Sequence, residues 1–170
     1  MDFTKYIRDV QDFPEAGILF KDITPLLQDA HALNTAANAL VDLLGNTPID
    51  KVLGMESRGF IFGPLLASKL NAGFVPVRKP GKLPRTKISE KFSLEYGTDI
   101  LEIHTDAIKK GERILIHDDV LATGGTAKAV AKLVERLGGE IVQFNFLIEL
   151  SFLKGRKQLN GKKVKSLITY

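Results

Sequence analysis

The stretch Arg113–Gly139, RILIHDDVLATGGTAKAVAKLVERLGG, decides how the rest of the chain is read. Ile114, Leu115 and Ile116 form a continuous apolar run, which fits a buried strand. His117 follows, then the adjacent acids Asp118 and Asp119. Beyond Val120 and Leu121 the chain turns small and flexible through Ala122-Thr123-Gly124-Gly125-Thr126. Ala127, Val130, Leu133, Val134 and Leu137 then recur on one helical face, and Gly138-Gly139 stops the helix. The expected unit is strand, tight loop, helix, with two carboxylates at the strand's C-terminal end.

Those parts suit two halves of one ligand. Gly124 and Gly125 let backbone approach a ligand closely. The free N–H groups of Ala122 to Thr126 and the positive end of the helix dipole make an anion seat, to which the hydroxyls of Thr123 and Thr126 add donors. A phosphate fits there. The carboxylates of Asp118 and Asp119 cannot favour that phosphate; two neighbouring acceptors suit a vicinal diol, whose hydroxyls both donate. A ribose 5-phosphate with a free 2,3-diol meets both demands. The plain alternative is a glycine-rich helix entry with two solvated acids. The agreement of strand, loop and helix around the string favours the ligand.

Composition bounds the rest. A chain of 170 residues is expected to form one domain with a full core. Its 44% hydrophobic and 26% charged residues are ordinary for a soluble globule. It has no cysteine, which excludes disulfides and thiolate metal sites. No apolar run reaches membrane-spanning length, and the N-terminus carries acids where a signal peptide would carry only bases, so a cytoplasmic location is expected. A net charge of +4 suits a polyphosphate substrate as well as weak nucleic-acid contact.

Upstream, Ile49 to Met55 reads as a second strand, Glu56-Ser57-Arg58-Gly59 as a strand-to-helix loop, and Phe60 to Leu70 as the helix, with Pro64 tolerable only near its first turn. Arg58 beside a helix N-terminus suits bidentate contact with a diphosphate. Gly54 and Gly59 have P-loop spacing, but Phe60 stands where the lysine is required, which rules out a nucleoside triphosphatase of that type. Phe74 to Val77 is the next strand. Arg78 to Lys91 then gathers Arg78, Lys79, Lys82, Arg85, Lys87 and Lys91 against Glu90 alone, while Pro80, Gly81 and Pro84 deny it regular structure; a lid over a diphosphate is expected. Phe92, Leu94 and Tyr96 alternate, then Leu101 and Ile103, as a hairpin does, with Glu95 on the face opposite Tyr96.

The ends read as scaffold. Phe3, Tyr6, Ile7 and Val10 have helical spacing, Phe20 reads as core, and Asp29 caps a helix from Ala30 to Leu44 with a solvated His31 in its first turn. Ile141 to Glu149 is a strand, Ser151 caps a short helix to Leu159, and Val164 to Ile168 is an edge strand. The basic run Lys154, Arg156, Lys157, Lys162, Lys163 and Lys165 has no aromatic platform, so a solvated face is expected rather than a nucleic-acid interface. No repeat or low-complexity segment is present.

Glu56-Ser57-Arg58-Gly59-Phe60, Arg78-Lys79-Pro80-Gly81-Lys82-Leu83-Pro84, Leu94-Glu95-Tyr96-Gly97 and Asp118-Asp119-Val120-Leu121-Ala122-Thr123-Gly124-Gly125-Thr126, with Phe13-Pro14 and Gly17-Ile18-Leu19-Phe20-Lys21-Asp22-Ile23, together resemble the adenine branch of the type I phosphoribosyltransferase family. The resemblance covers nearly the whole chain. It implies an α/β fold with a central, mostly parallel sheet flanked by helices, a small hood over residues 1–28 and a flexible lid loop over 78–95, all in one domain of residues 1–170. It implies transfer of a phosphoribosyl group from phosphoribosyl diphosphate (PRPP) to N9 of adenine, giving AMP and diphosphate, with Mg²⁺ held mainly by PRPP and water, in a homodimer.

The roles it implies are these. Asp118 and Asp119 hold the ribose hydroxyls, and Ala122, Thr123, Gly124, Gly125 and Thr126 the 5-phosphate. Glu56, Ser57, Arg58, Arg78, Lys79 and Lys82 surround the diphosphate, with Arg78 reaching into a neighbouring subunit's site and a cis Glu56–Ser57 peptide aiming its N–H at the diphosphate. Leu19, Phe20, Lys21 and Val120 hold adenine, with Glu95 near its N7. Glu95, Arg58, Asp118 and Asp119 form the catalytic set. Val120 departs from the usual leucine, Thr86 from a usual acid, and the C-terminus is short. Two rivals share the motif: an enzyme for another purine base, and a PRPP-sensing regulator that binds nucleic acid.

Overall fold

A computed structural model describes residues 1–93, 98–159 and 161–170. Its centre is a five-stranded sheet built from β3 (Lys51–Met55), β4 (Gly73–Val77), β7 (Arg113–Leu121), β8 (Glu140–Glu149) and β9 (Val164–Thr169), in the order β4-β3-β7-β8-β9. Every neighbouring pair in it is parallel. Pro76 is tolerated because β4 lies at an edge, where a missing N–H breaks no ladder.

The apolar run of β7 packs on both faces. Ile114 and Ile116 join a core with Val130, Leu133 and Val134 of helix α4 (Gly125–Leu137). Leu115 joins a second core with Ala36, Ala37 and Leu40 of α2 (Ala30–Asp42) and Phe62 and Leu66 of α3 (Gly59–Lys69). A strand buried on both faces has no polar face to show, which is why its sequence is a continuous apolar run. Asp29 caps α2 as its sequence predicts, accepting from the N–H of Ala32 at 2.8 Å.

Several expectations are corrected. Phe3–Tyr6 is a 3-10 turn, and Arg8–Gln11 is a strand (β1) paired antiparallel with β2 (Leu19–Asp22), so the chain does not begin with one helix. The helical spacing of Phe3, Tyr6 and Ile7 survives only because these side chains turn onto the α2–α3 core. A short α1 (Thr24–Gln28) follows β2. Pro64 lies inside α3, past its first turn. The basic segment is irregular only as far as Thr86: Lys87–Ser93 is β5, paired antiparallel with β6 (Thr98–His104). The segment before it is also tied down, since Arg78 and Glu102 exchange both backbone hydrogen bonds, at 2.9 and 2.7 Å. Ser151 does not cap a helix. Its hydroxyl donates to the Tyr170 carbonyl at 2.6 Å, and two 3-10 turns, Ser151–Leu153 and Gly155–Leu159, replace the expected helix.

Candidate active site

The C-terminal ends of β3 and β7 lie side by side, and the loops leaving them open into one cleft. This is the edge at which parallel sheets place their ligands. Gly124 precedes α4 with φ 84°, a left-handed conformation that glycine adopts without cost. The loop therefore folds back, and the first amides of α4 are left without helical acceptors. On the neighbouring strand, Arg58 immediately precedes α3. Gly59 brings that helix so close to β7 that a Cβ there would lie 3.0 Å from Asp118 Oδ1.

Asp119 is 2% exposed, and Asp118 is half-buried. The N–H of Asp119 donates to Asp118 Oδ1 at 3.0 Å. Arg58 Nε stands 2.9 Å from Asp119 Oδ2, though not aligned as a hydrogen bond, so that oxygen has no donor among the described residues. Burial pushes the Asp118 carboxyl well above the usual range, and the Asp119 charge pushes it further. Burial also raises Asp119, and the Arg58 guanidinium opposes this only in part. Two desolvated acids with one adjacent cation are poised to accept donors from outside.

Glu56 is the opposite case. Arg78 Nε and the Lys79 N–H donate to its Oε2 at 3.1 and 2.9 Å, and Lys82 Nζ donates to Oε1. Burial alone would raise this carboxyl, but those donors outweigh it and hold the pKa at about 2. The Glu56–Ser57 peptide is cis. Lys79 Nζ also sits 3.3 Å from Asp99 Oδ2.

The acids face a cleft of about 380 Å³ whose wall includes Ser57, Arg58, Lys79, Val120, Ala122 and Thr126. A larger cavity of about 680 Å³ lies between the β5–β6 hairpin and α4, is lined in part by Thr123 and Gly125 of the loop before α4, and among the described residues shares only Phe92 with that wall. Only the smaller one contains the acid pair, so chemistry rather than size identifies the site. A narrow recess behind it is lined by Thr123, Gly124 and Thr126. Arg78 and Lys82 are turned onto Glu56 rather than lining the cleft. Phe20 is not a core residue. It is half-buried, edge-on to Phe13 at 5.0 Å, with the Arg58 guanidinium 4.8 Å from its ring. One guanidinium thus spans the aromatic of β2 and the acids of β7. Leu19 is exposed, and the buried Lys21 ammonium pairs with Asp9 at 2.6 Å. Glu95 lies outside the described residues. Phe92, Asp99 and Leu101 also line the cleft and escaped the sequence reading; their only signal was the alternation of a hairpin.

Residues 22–168 match the family described as phosphoribosyl transferase domain. The chain is 63% identical to the adenine phosphoribosyltransferase of Flavobacterium johnsoniae, over all of both chains. Among solved structures it resembles adenine phosphoribosyltransferase from Thermoanaerobacter pseudethanolicus with a TM-score of 0.97 and 53% identity, covering 99% of this chain and 98% of that one. The Saccharomyces cerevisiae enzyme, solved with an imino-altritol bisphosphate and adenine, matches with a TM-score of 0.92 and 41% identity over 98% of this chain and 96% of that one.

Proposed function

This chain belongs to the adenine phosphoribosyltransferase family, and we propose that its cleft carries out the family's reaction as follows. The chain transfers the 5-phosphoribosyl group of PRPP to N9 of adenine, releasing AMP and diphosphate, a purine salvage reaction. The observation that carries this reading is the buried Asp119 carboxylate, whose Oδ2 has no hydrogen-bond donor among the described residues, beside Asp118 and the open amides of α4.

Asp118 and Asp119 accept from the ribose 2- and 3-hydroxyls, while Ala122 to Thr126 hold the 5-phosphate through backbone N–H groups and threonine hydroxyls. Ser57, Arg58 and Lys79 face the diphosphate across the cleft. Arg78 and Lys82 act there through Glu56, and turn toward the diphosphate if it displaces them. The C1–O bond to diphosphate breaks as N9 forms its bond to C1, positive charge develops on the ribose, and the base releases its ring N–H proton to water. Fixed cations at the leaving group and a clamped sugar supply the catalysis, so positioning and electrostatics dominate. Adenine sits between Phe20 and Val120, its edge read by the backbone of Leu19 and Lys21, with Glu95 near N7. Mg²⁺ would be held mainly by the diphosphate and ribose oxygens of PRPP and by water, since a hard cation favours oxygen ligands, and would offset the charge of the leaving diphosphate.

The hood over residues 1–28 and the lid over 78–95 complete one domain of residues 1–170. The exposed Ile61 and Leu65 of α3 support a homodimer. No helix among the described residues is long and apolar enough to cross a membrane; we assign the enzyme to the cytoplasm. The test is incubation with PRPP, Mg²⁺ and one base at a time. AMP from adenine is expected, with hypoxanthine, guanine and xanthine at least ~100-fold poorer, since backbone groups set to pair with adenine's edge reject a base that leaves them unpaired. Equal use of hypoxanthine would overturn the base assignment.

A further inference from the structure

The loop over residues 122–126 is backed by the Gly155–Leu159 turn, none of whose residues lines the cleft that holds the acids. A Cβ built on Gly124 would lie 2.4 Å from the carbonyl oxygen of Gly155, and one built on Gly155 would lie 2.2 Å from the carbonyl oxygen of Ala122. Two stretches of backbone thus meet with no side chain between them. Neither Gly124 nor Gly155 lines the cleft that holds the acids. The φ of Gly155 is outside the left-handed region, so a larger residue there is opposed by the loop, not by its own backbone.

Gly155 is itself held in place. Glu149 ends β8 at 5% exposure, and a charge so buried requires a partner. Arg156 supplies it as a fork: Nε and Nη2 donate to the two Glu149 oxygens, each at 2.6 Å. Arg156 Nη1 donates to the Val164 carbonyl at 2.8 Å, and the Ser166 hydroxyl donates to Glu149 Oε2 at 2.7 Å, which ties the fork to β9. The residue beside Gly155 is therefore anchored to two strands of the sheet. The same turn ends in the buried Leu159, and Lys128 of α4 donates to its Gln158 at 3.0 Å.

The geometry points to Gly155 as a positioning residue that sets the depth of the 5-phosphate loop, held by the Glu149–Arg156–Ser166 network. It rests on the assignment of Ala122 to Thr126 to the phosphate. Gly155→Ala forces the loop toward the cleft and misplaces its amides, and a shift of about 1 Å at such a site costs ~100-fold. Arg156→Lys keeps the charge, loses the fork, and relaxes the same contact more gently.

The experiment measures ribose 5-phosphate binding by calorimetry, together with KM for PRPP and for adenine, in wild type, Gly155→Ala, Arg156→Lys and the exposed Lys157→Ala. Gly155→Ala is expected to bind ribose 5-phosphate at least ~10-fold more weakly and to raise KM for PRPP in step, with KM for adenine within about twofold of wild type. Arg156→Lys is expected to show the same pattern at about threefold, and Lys157→Ala to show none. A folded Gly155→Ala with wild-type ribose 5-phosphate affinity overturns the proposal, as does an equal rise in both KM values, which marks a merely structural lesion. If Gly155→Ala does not fold, Arg156→Lys decides by the same two readouts. Thr126→Val separates the underlying assignment: if it and Gly155→Ala both bind ribose 5-phosphate as wild type does, the phosphate site lies elsewhere, whereas an effect of Thr126→Val alone removes only the role of Gly155.

Discussion

Two acidic centres at the ends of β3 and β7 are in opposite electrostatic states. Glu56 has three donors and a pKa of about 2. Asp118 and Asp119 share one adjacent cation, and both are pushed upward, mainly by burial. The first centre is satisfied inside the chain and holds the basic segment against β3. The second is left short of donors in a cleft. A fold tolerates such a deficit where a ligand supplies what is missing, so we propose the under-partnered pair as the binding site and the saturated acid as its frame.

The largest way to break this contrast is to remove the deficit. Asp119→Ala and Arg58→Ala are each expected to lower kcat/KM for PRPP at least ~100-fold, the size of a lost transition-state contact. Circular dichroism should show the fold intact. Turnover within a few-fold of wild type would discard the assignment.

A smaller effect sharpens it through stability. Glu56 has a depressed folded pKa, so its contribution is present above the unfolded carboxylate range and is lost as pH falls toward about 2. Asp118 has a raised folded pKa, so its ionisation costs stability that is lost as pH rises through the carboxylate range. At pH 7, Glu56→Gln is therefore expected to lower the melting temperature and Asp118→Asn to raise it, each by ~2–4 °C, as roughly 1 kcal/mol gives in a domain of this size. Differential scanning calorimetry checks both, and shifts of the same sign would show that the two acids do not differ as described.

The stretch that decides the fold was legible because its signals are local. A continuous apolar run, two acids, a glycine pair and a helical stripe each depend on neighbours in sequence, and β7, the loop and α4 follow them closely. The basic segment misled because charge and proline were weighed above alternation. Ile88 and Phe92 pack inward toward the α4 core, and cross-strand pairing with β6 makes a strand of Lys87–Ser93. The N-terminus misled because Tyr6 and Ile7 reach the core from a turn. Phe20 reads as core from its neighbours in sequence because nothing among them places Arg58 over its ring. In sequence Arg156 is one charge in a basic run; its partner Glu149 ends a preceding strand, and no residue pattern announces that backbone at Gly155 meets backbone at Ala122.

The central claim is that acids and amides at the end of β7 grip opposite ends of one phosphorylated pentose. A crystal structure of this chain with PRPP and Mg²⁺, in the absence of base, tests it most directly. The account predicts both ribose hydroxyls within hydrogen-bond distance of the Asp118 and Asp119 carboxylates, with the 5-phosphate on the amides of Thr123 to Thr126. A pentose bound in the larger cavity beside the β5–β6 hairpin, with those carboxylates untouched, would contradict it.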